Sequence, residues 1–151
     1  VSVQTIRPTD LPAGHRRTVH VDVTIPRPTT VAGAFRAAAR VLAVNGLYQG
    51  GDYFPNALSD VHTPFASRPL SIVAALRCAV EGDPRAYSLL ADEALMVLAL
   101  RLEVDGEGPE DHDLFGLEAH VDDWGDAEGR TTESAVAVLY AAADASEQVA
   151  A

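Results

Sequence analysis

At 151 residues, 48% of them hydrophobic, the chain has the length of one domain and enough apolar side chains to fill a core, which argues against a disordered protein. A formal charge of −11 and a pI near 4.6 argue against nucleic acid and anionic membrane surfaces as partners, because both are bound through an excess of cations. The single cysteine, Cys78, rules out an intrachain disulfide and suits a reducing, cytoplasmic setting.

The first residues have no basic start followed by an apolar run, so no signal peptide is expected. Asp92–Glu93 and Arg101 interrupt the longest apolar segment, so no span of a bilayer is expected either. Lysine is absent, and with the abundance of alanine and valine this reads as GC-rich coding.

Residues 1–29 form an arm with its own composition. Pro8, Pro12, Pro26 and Pro28 exclude a helix there, while Thr18–Ile25 alternates strictly, with Val19, Val21, Val23 and Ile25 on one face. Val1–Ile6 reads as a weaker strand. A lone strand is unstable in water, so these segments pair with each other or with another chain. Arg7, Arg16, Arg17 and Arg27 make the arm the basic part of an acidic protein.

Residues 30–146 read as a helical domain. Thr29 or Thr30 caps a helix over about Val31–Asn45, with Val31, Phe35, Ala38 and Leu42 on its buried stripe and Gly46 at its end. Residues 47–68 form a long connection holding Tyr48, Tyr53, Phe54 and Phe65, with a short helical turn expected near Asn56–Val61. Residues 69–102 read as the central helix pair. Ile72, Val73, Leu76, Ala79 and Val80 recur at helical spacing, and Gly82 is placed to take the left-handed backbone that ends a helix. Asp83 and Pro84 are placed to cap and begin the second helix, which is apolar almost all round from Ala94 onward, the pattern of a helix buried on most sides.

The segment 103–128 carries half of the chain's 22 acidic residues and no basic ones. Leu114, Phe115, Leu117 and Val121 suggest a short helix docking on the core. A last helix runs from Thr131 or Thr132 to about Ala145, with Val136, Leu139, Tyr140 and Ala143 inward, and residues 147–151 read as a frayed tail.

The most distinctive segment for function is Asp122–Thr131, which holds the lone tryptophan. In one reading it is a binding turn, with Trp124 as an aromatic platform, Arg130 as an anion contact and Asp126 beside them, facing Tyr48 and Tyr53 across a pocket. In the other it is structural, with Trp124 packed, Arg130 neutralising Asp123 or Asp126, and Thr131 capping the next helix.

No metal site and no cofactor are expected. His112 and His120 lie among carboxylates, but Glu103–Gly108 lacks the spacing and terminal glutamate of a calcium loop, and no zinc pattern occurs. No catalytic residue is assigned. Cys78 sits within a helix where nothing lowers its pKa, Ser71 lacks a nucleophile elbow, and His62 and His120 would serve as bases only if brought together.

The segments Asn45-Gly46-Leu47-Tyr48-Gln49-Gly50, Ser71–Ala79 ahead of Gly82, and Trp124-Gly125-Asp126 with Gly129-Arg130-Thr131 resemble a family of small actinobacterial and actinophage proteins described as a domain of unknown function. The resemblance spans about Val31–Ala143. Many relatives carry cysteine at Ser71 and asparagine at Gly125. The resemblance implies a helical domain and no activity, and it leaves the arm outside the shared region.

The expected structure is therefore mainly α, a compact bundle of about four main helices with an N-terminal β-strand or hairpin arm. The expected function is non-catalytic association with a protein partner or with a second copy as a homodimer through Thr18–Ile25. One alternative is a small-molecule-binding protein or enzyme with a pocket between 47–68 and the Trp124–Arg130 turn. Another is an acidic nucleic-acid mimic, which would space its carboxylates along a ridge like phosphates.

Overall fold

The computed structural model describes residues 2–3, 21–22, 26–51, 53–55 and 68–150. Five helices make up most of these residues: α1 (Val31–Asn45), α2 (Ile72–Glu81), α3 (Leu89–Ala99), α4 (Leu114–Asp126) and α5 (Thr132–Ala150). Two short strands, β1 (Ser2–Val3) and β2 (Val21–Asp22), pair antiparallel with Ser2 opposite Asp22 and Val3 opposite Val21. The rest of the expected arm through residue 25, and the turn expected near 56–61, lie outside the described residues.

The bundle is built around α1, which packs mainly on α5 and α2 and also touches α3. Alanines make this close packing feasible. Ala34, Ala38 and Ala39 of α1, Ala74 and Ala75 of α2, and Ala135, Ala142 and Ala143 of α5 are all fully buried. Small side chains let helix axes approach, and Phe35, Leu42, Leu76, Leu98 and Leu139 fill the space between them. Arg36 fixes α1 to α5 from outside, donating to Asp144 at 2.9 Å and to both carboxylate oxygens of Glu147 at 2.8 and 3.2 Å.

Several expected boundaries match the structure. Thr30 caps α1 by accepting the Gly33 N–H. Gly82 ends α2 at φ 78°, a left-handed conformation that costs a residue with a Cβ about 1 kcal/mol. Arg27 donates to the Val80 carbonyl at 3.3 Å, so the last arginine before the helical domain neutralises the negative end of α2.

Other boundaries move, each for a local reason. Asp83 does not cap the helix after α2. Its Oδ1 accepts the Arg85 N–H at 2.9 Å and closes a turn, and the cap is Ser88, whose Oγ accepts the Ala91 N–H. Accordingly α3 begins at Leu89 and ends at Ala99, short of the expected Leu102. It is also not buried on most sides. Ala91, Ala94, Leu95, Leu98 and Ala99 face the core, while Leu89, Met96 and Leu100 face outward.

The helix expected to be short at Leu114 runs thirteen residues and absorbs Trp124 and Asp126, with Phe115 pointing outward instead of docking. Asp113 caps it by accepting the Gly116 N–H at 2.7 Å. Thr131 caps α5, which continues to Ala150 and not to about Ala145, in keeping with the Arg36 clamp on its last turns. The buried stripe of α5 is Ala135, Leu139, Ala142 and Ala143, with Val136 partly buried and Tyr140 at the edge.

The position of the α3 cap is testable by substitution. Ser88→Ala removes an N-cap and is expected to lower stability by about 1 kcal/mol in urea unfolding, whereas Asp83→Ala is expected to cost less than half of that.

Candidate functional site

The binding residues singled out in the sequence fall into two clusters. At the α4–α5 corner, the Arg130 guanidinium stacks on the Trp124 ring, 3.7 Å from its centroid, and its Nε donates to the Trp124 carbonyl at 2.9 Å. Trp124 is buried against the core. Arg130 therefore pairs with neither Asp123 nor Asp126, contrary to the structural reading of this segment.

Asp126 is held by a different group. Its two oxygens accept the N–H groups of Gly50 and Gly51 at 3.2 and 3.1 Å. Gln49 reaches the carbonyls of Gly125 and Ala127, and the Leu47 N–H donates to the Thr132 hydroxyl. Tyr48 folds its ring over Gly50, where an added Cβ would lie 2.7 Å from the phenol oxygen, so only glycine fits without a shift. The segment after α1 is in this way locked to the corner between α4 and α5. A parallel bridge between Leu47 and Leu70 and a hydrogen bond from the Ser71 N–H to the Tyr53 carbonyl bring the start of α2 to the same place.

The Tyr53 ring turns away from this corner, its centroid 5.3 Å from the Arg77 guanidinium carbon, into a cluster that sequence reasoning missed. Arg77 is 2% exposed, yet it is charged. Its Nη2 contacts Glu118 Oε1 in an ion pair between α2 and α4, and Tyr87 lies over the guanidinium at 4.2 Å. Asp122, one turn after Glu118, adds a second carboxylate. Among the described residues, its Oδ1 and Arg77 Nη1 are buried without a hydrogen-bond partner.

Burial pushes the Asp122 carboxyl up to about 7; nearby Asp126 and Asp123 add to the rise and Arg77 opposes it. A signal for this cluster was present in the sequence. Arg77 falls at i+4 from Val73 and i−3 from Val80, on the apolar stripe, and Glu118 and Asp122 are four residues apart, on one face of their helix.

The remaining candidates have structural contacts. Ser71 caps α2 by accepting the Ala74 N–H, and the Nε2 of buried His120 lies 2.8 Å from the Leu102 carbonyl. Burial pushes the half-buried Cys78 thiol up, with Asp83 adding to it. His62 lies outside the described residues. No group of three or more His, Cys, Asp or Glu side chains among the described residues has the arrangement to hold a metal ion. A cleft of about 590 Å³ is walled by Glu107, Glu110, Asp111, His120 and Asp123, among others.

The surface that stands out is on α3. Leu89, Glu93, Met96 and Leu100 recur at i, i+4, i+7 and i+11, all on one side, and all are exposed. Leu89 is 89% exposed and Leu100 56%. Beside this stripe runs a groove of about 300 Å³ between α3 and α4, lined by Asp92, Glu93, Met96, His112, Leu114 and Leu117. Asp92 Oδ1 is buried there with no hydrogen-bond partner among the described residues. No helix among the described residues is long and apolar enough to cross a membrane.

Comparison with known proteins gives one match, to the model of a family of unknown function, DUF6197, over residues 26–145. No curated protein and no solved structure matches the chain.

Two outcomes follow from the buried cluster. The folded state holds the Asp122 proton more tightly than the unfolded chain does. Stability is therefore fullest below about pH 4, as far as this group is concerned, and is lost as pH rises from there through about 7, by on the order of 4 kcal/mol in all. Asp122→Asn is expected to remove this slope, so that the variant melts higher than the parent above pH 7 and the two converge only towards pH 4 in thermal unfolding. Arg77→Met alone leaves Glu118 buried without its cation and is expected to cost about 3–5 kcal/mol, much of it recovered when Glu118→Leu is added in a double-mutant cycle.

Proposed function

The chain belongs to the DUF6197 family, and we propose that it is a non-catalytic, acidic helical protein that acts by associating with another protein chain. The observation that carries this reading is the outward stripe of α3. Three large apolar side chains in register on one helix face, next to a groove, are the arrangement that helix-to-partner contacts use. The contacts at the α4–α5 corner support it from the other side. The Trp124 face is covered by Arg130, and the Asp126 oxygens are taken by Gly50 and Gly51, so the residues best suited to hold a small ligand are engaged within the fold.

The basic arm is a second surface for the same role. It carries Arg7, Arg16 and Arg17 ahead of the helical domain, and Thr18–Ile25 has the alternation to add to a sheet edge. In this reading the arm and the α3 face contact a partner or a second copy in a cytoplasmic setting.

A photo-reactive residue placed at position 89, 96 or 100 in living cells checks the proposal. The expected result is a discrete adduct identified by mass spectrometry, not given by the same residue at exposed Ala137 of α5. Equal adduct patterns from α3 and α5 would overturn the reading. The same experiment on a chain truncated before Pro26 separates the two surfaces, since loss of the adduct assigns the contact to the arm.

A further inference from the structure

The chemistry of the α3–α4 groove goes further and names the kind of partner; the argument rests on the association reading above. We infer that the groove and its bordering stripe receive a cationic amphipathic helix of a different protein. The groove offers apolar walls, Met96, Leu114 and Leu117, around acidic residues, Asp92 and Glu93. Neither α3 nor α4 contains an arginine or lysine; Asp92 lies in the first turn of α3, where the helix N-terminus favours its charge, and Glu93 meets no cation from these two helices. Glu93 is exposed beside Met96 on the outward stripe, where a cation reaches it without any rearrangement of the helix.

An arginine or lysine on an incoming helix pairs with Glu93 at the rim of the groove, while apolar residues on either side of it cover Met96 and Leu114. The exposed stripe Leu89–Leu100 extends about 16 Å along α3, which matches about three turns of a second helix laid alongside. Charge selects the partner's class. A second copy of this chain would bring the same carboxylates to the same groove and would add two charges of −11, so self-association is opposed where a basic helix is drawn in.

The test uses the full chain and two synthetic 18-residue peptides. One has leucine at i, i+3, i+4 and i+7 with arginine on its flanks; the other has the same composition in an order without helical periodicity. Binding is followed by fluorescence anisotropy at 50 and 200 mM salt, and the contact is located by amide chemical-shift changes. The periodic peptide is expected to bind at least tenfold more tightly than the scrambled one. Binding should weaken with salt, and the shifts should be centred on residues 89–100 and 112–117. Glu93→Gln and Leu89→Asp should each weaken binding several-fold, with circular dichroism confirming that both variants fold.

Equal binding of the two peptides, shifts centred elsewhere, or no binding at millimolar peptide would overturn the inference. A discrete photo-adduct from α3 in cells together with no peptide binding leaves association standing and removes only the cationic helix. An adduct of twice the chain's mass assigns the face to a second copy and likewise overturns the inference. Absence of both adduct and peptide binding removes the two readings together.

Discussion

A guanidinium sealed from water dictates much of the architecture. Arg77 projects from the middle of α2 into the interior, and the fold has to answer its charge there. Glu118 does so from α4, Tyr53 and Tyr87 lay their ring faces near it, and Asp122 adds a second carboxylate one helical turn from the first. Those groups come from four separate parts of the chain. Their convergence fixes where α4 lies against α2 and why the segment after α2 turns back before α3 begins. A buried ion pair of this kind contributes little net stability compared with apolar packing, but it penalises arrangements that separate its members. Alanine-lined helices slide past one another easily, so a specific polar lock has more to decide here than in a core of large side chains.

A second lock works through the backbone. The chain after α1 presents the N–H groups of Gly50 and Gly51 to Asp126, and Gln49 reaches two carbonyls at the end of α4. Leu47 bonds Thr132 at the start of α5. The segments Leu47–Gly51 and Gly125–Thr132 lie 75 to 85 residues apart in these contacts, yet they form one joint. What reads in the sequence as two separate signatures is one three-dimensional feature. The aspartate holds a turn, the glycines let that turn come close, and the arginine covers the tryptophan.

The helical periodicity of α1, α2 and α5 was legible because each combines an apolar stripe with a capping residue, and the Thr30 cap and the Gly82 ending follow from local chemistry alone. Where reading failed, two local signals competed. Asp83–Pro84 has the form of a helix start, but Asp83 closes its own turn with Arg85, and Ser88 five residues on does the capping. At Trp124 the glycine and the carboxylates suggested a turn, while burial of Leu117, Val121 and Trp124 on one side keeps the helix going to Asp126. The ionic cluster was overlooked because charged residues are expected at the surface, although Arg77 sits in phase with Val73 and Val80. The outward face of α3 was hidden for the opposite reason: continuous apolar sequence cannot say which side has a neighbour.

The stacking of Arg130 on the only tryptophan also makes this protein its own reporter. A cation held 3.7 Å above an indole, with the ring otherwise packed in the core, sets the ring's emission apart from that of a solvated indole. Intrinsic fluorescence excited at the red edge therefore reads one place, the junction of α4 with α5, without any label. Because the segment after α1 is fastened to that same junction, the signal follows the closing of contacts between residues 75 to 85 positions apart and not the formation of any single helix.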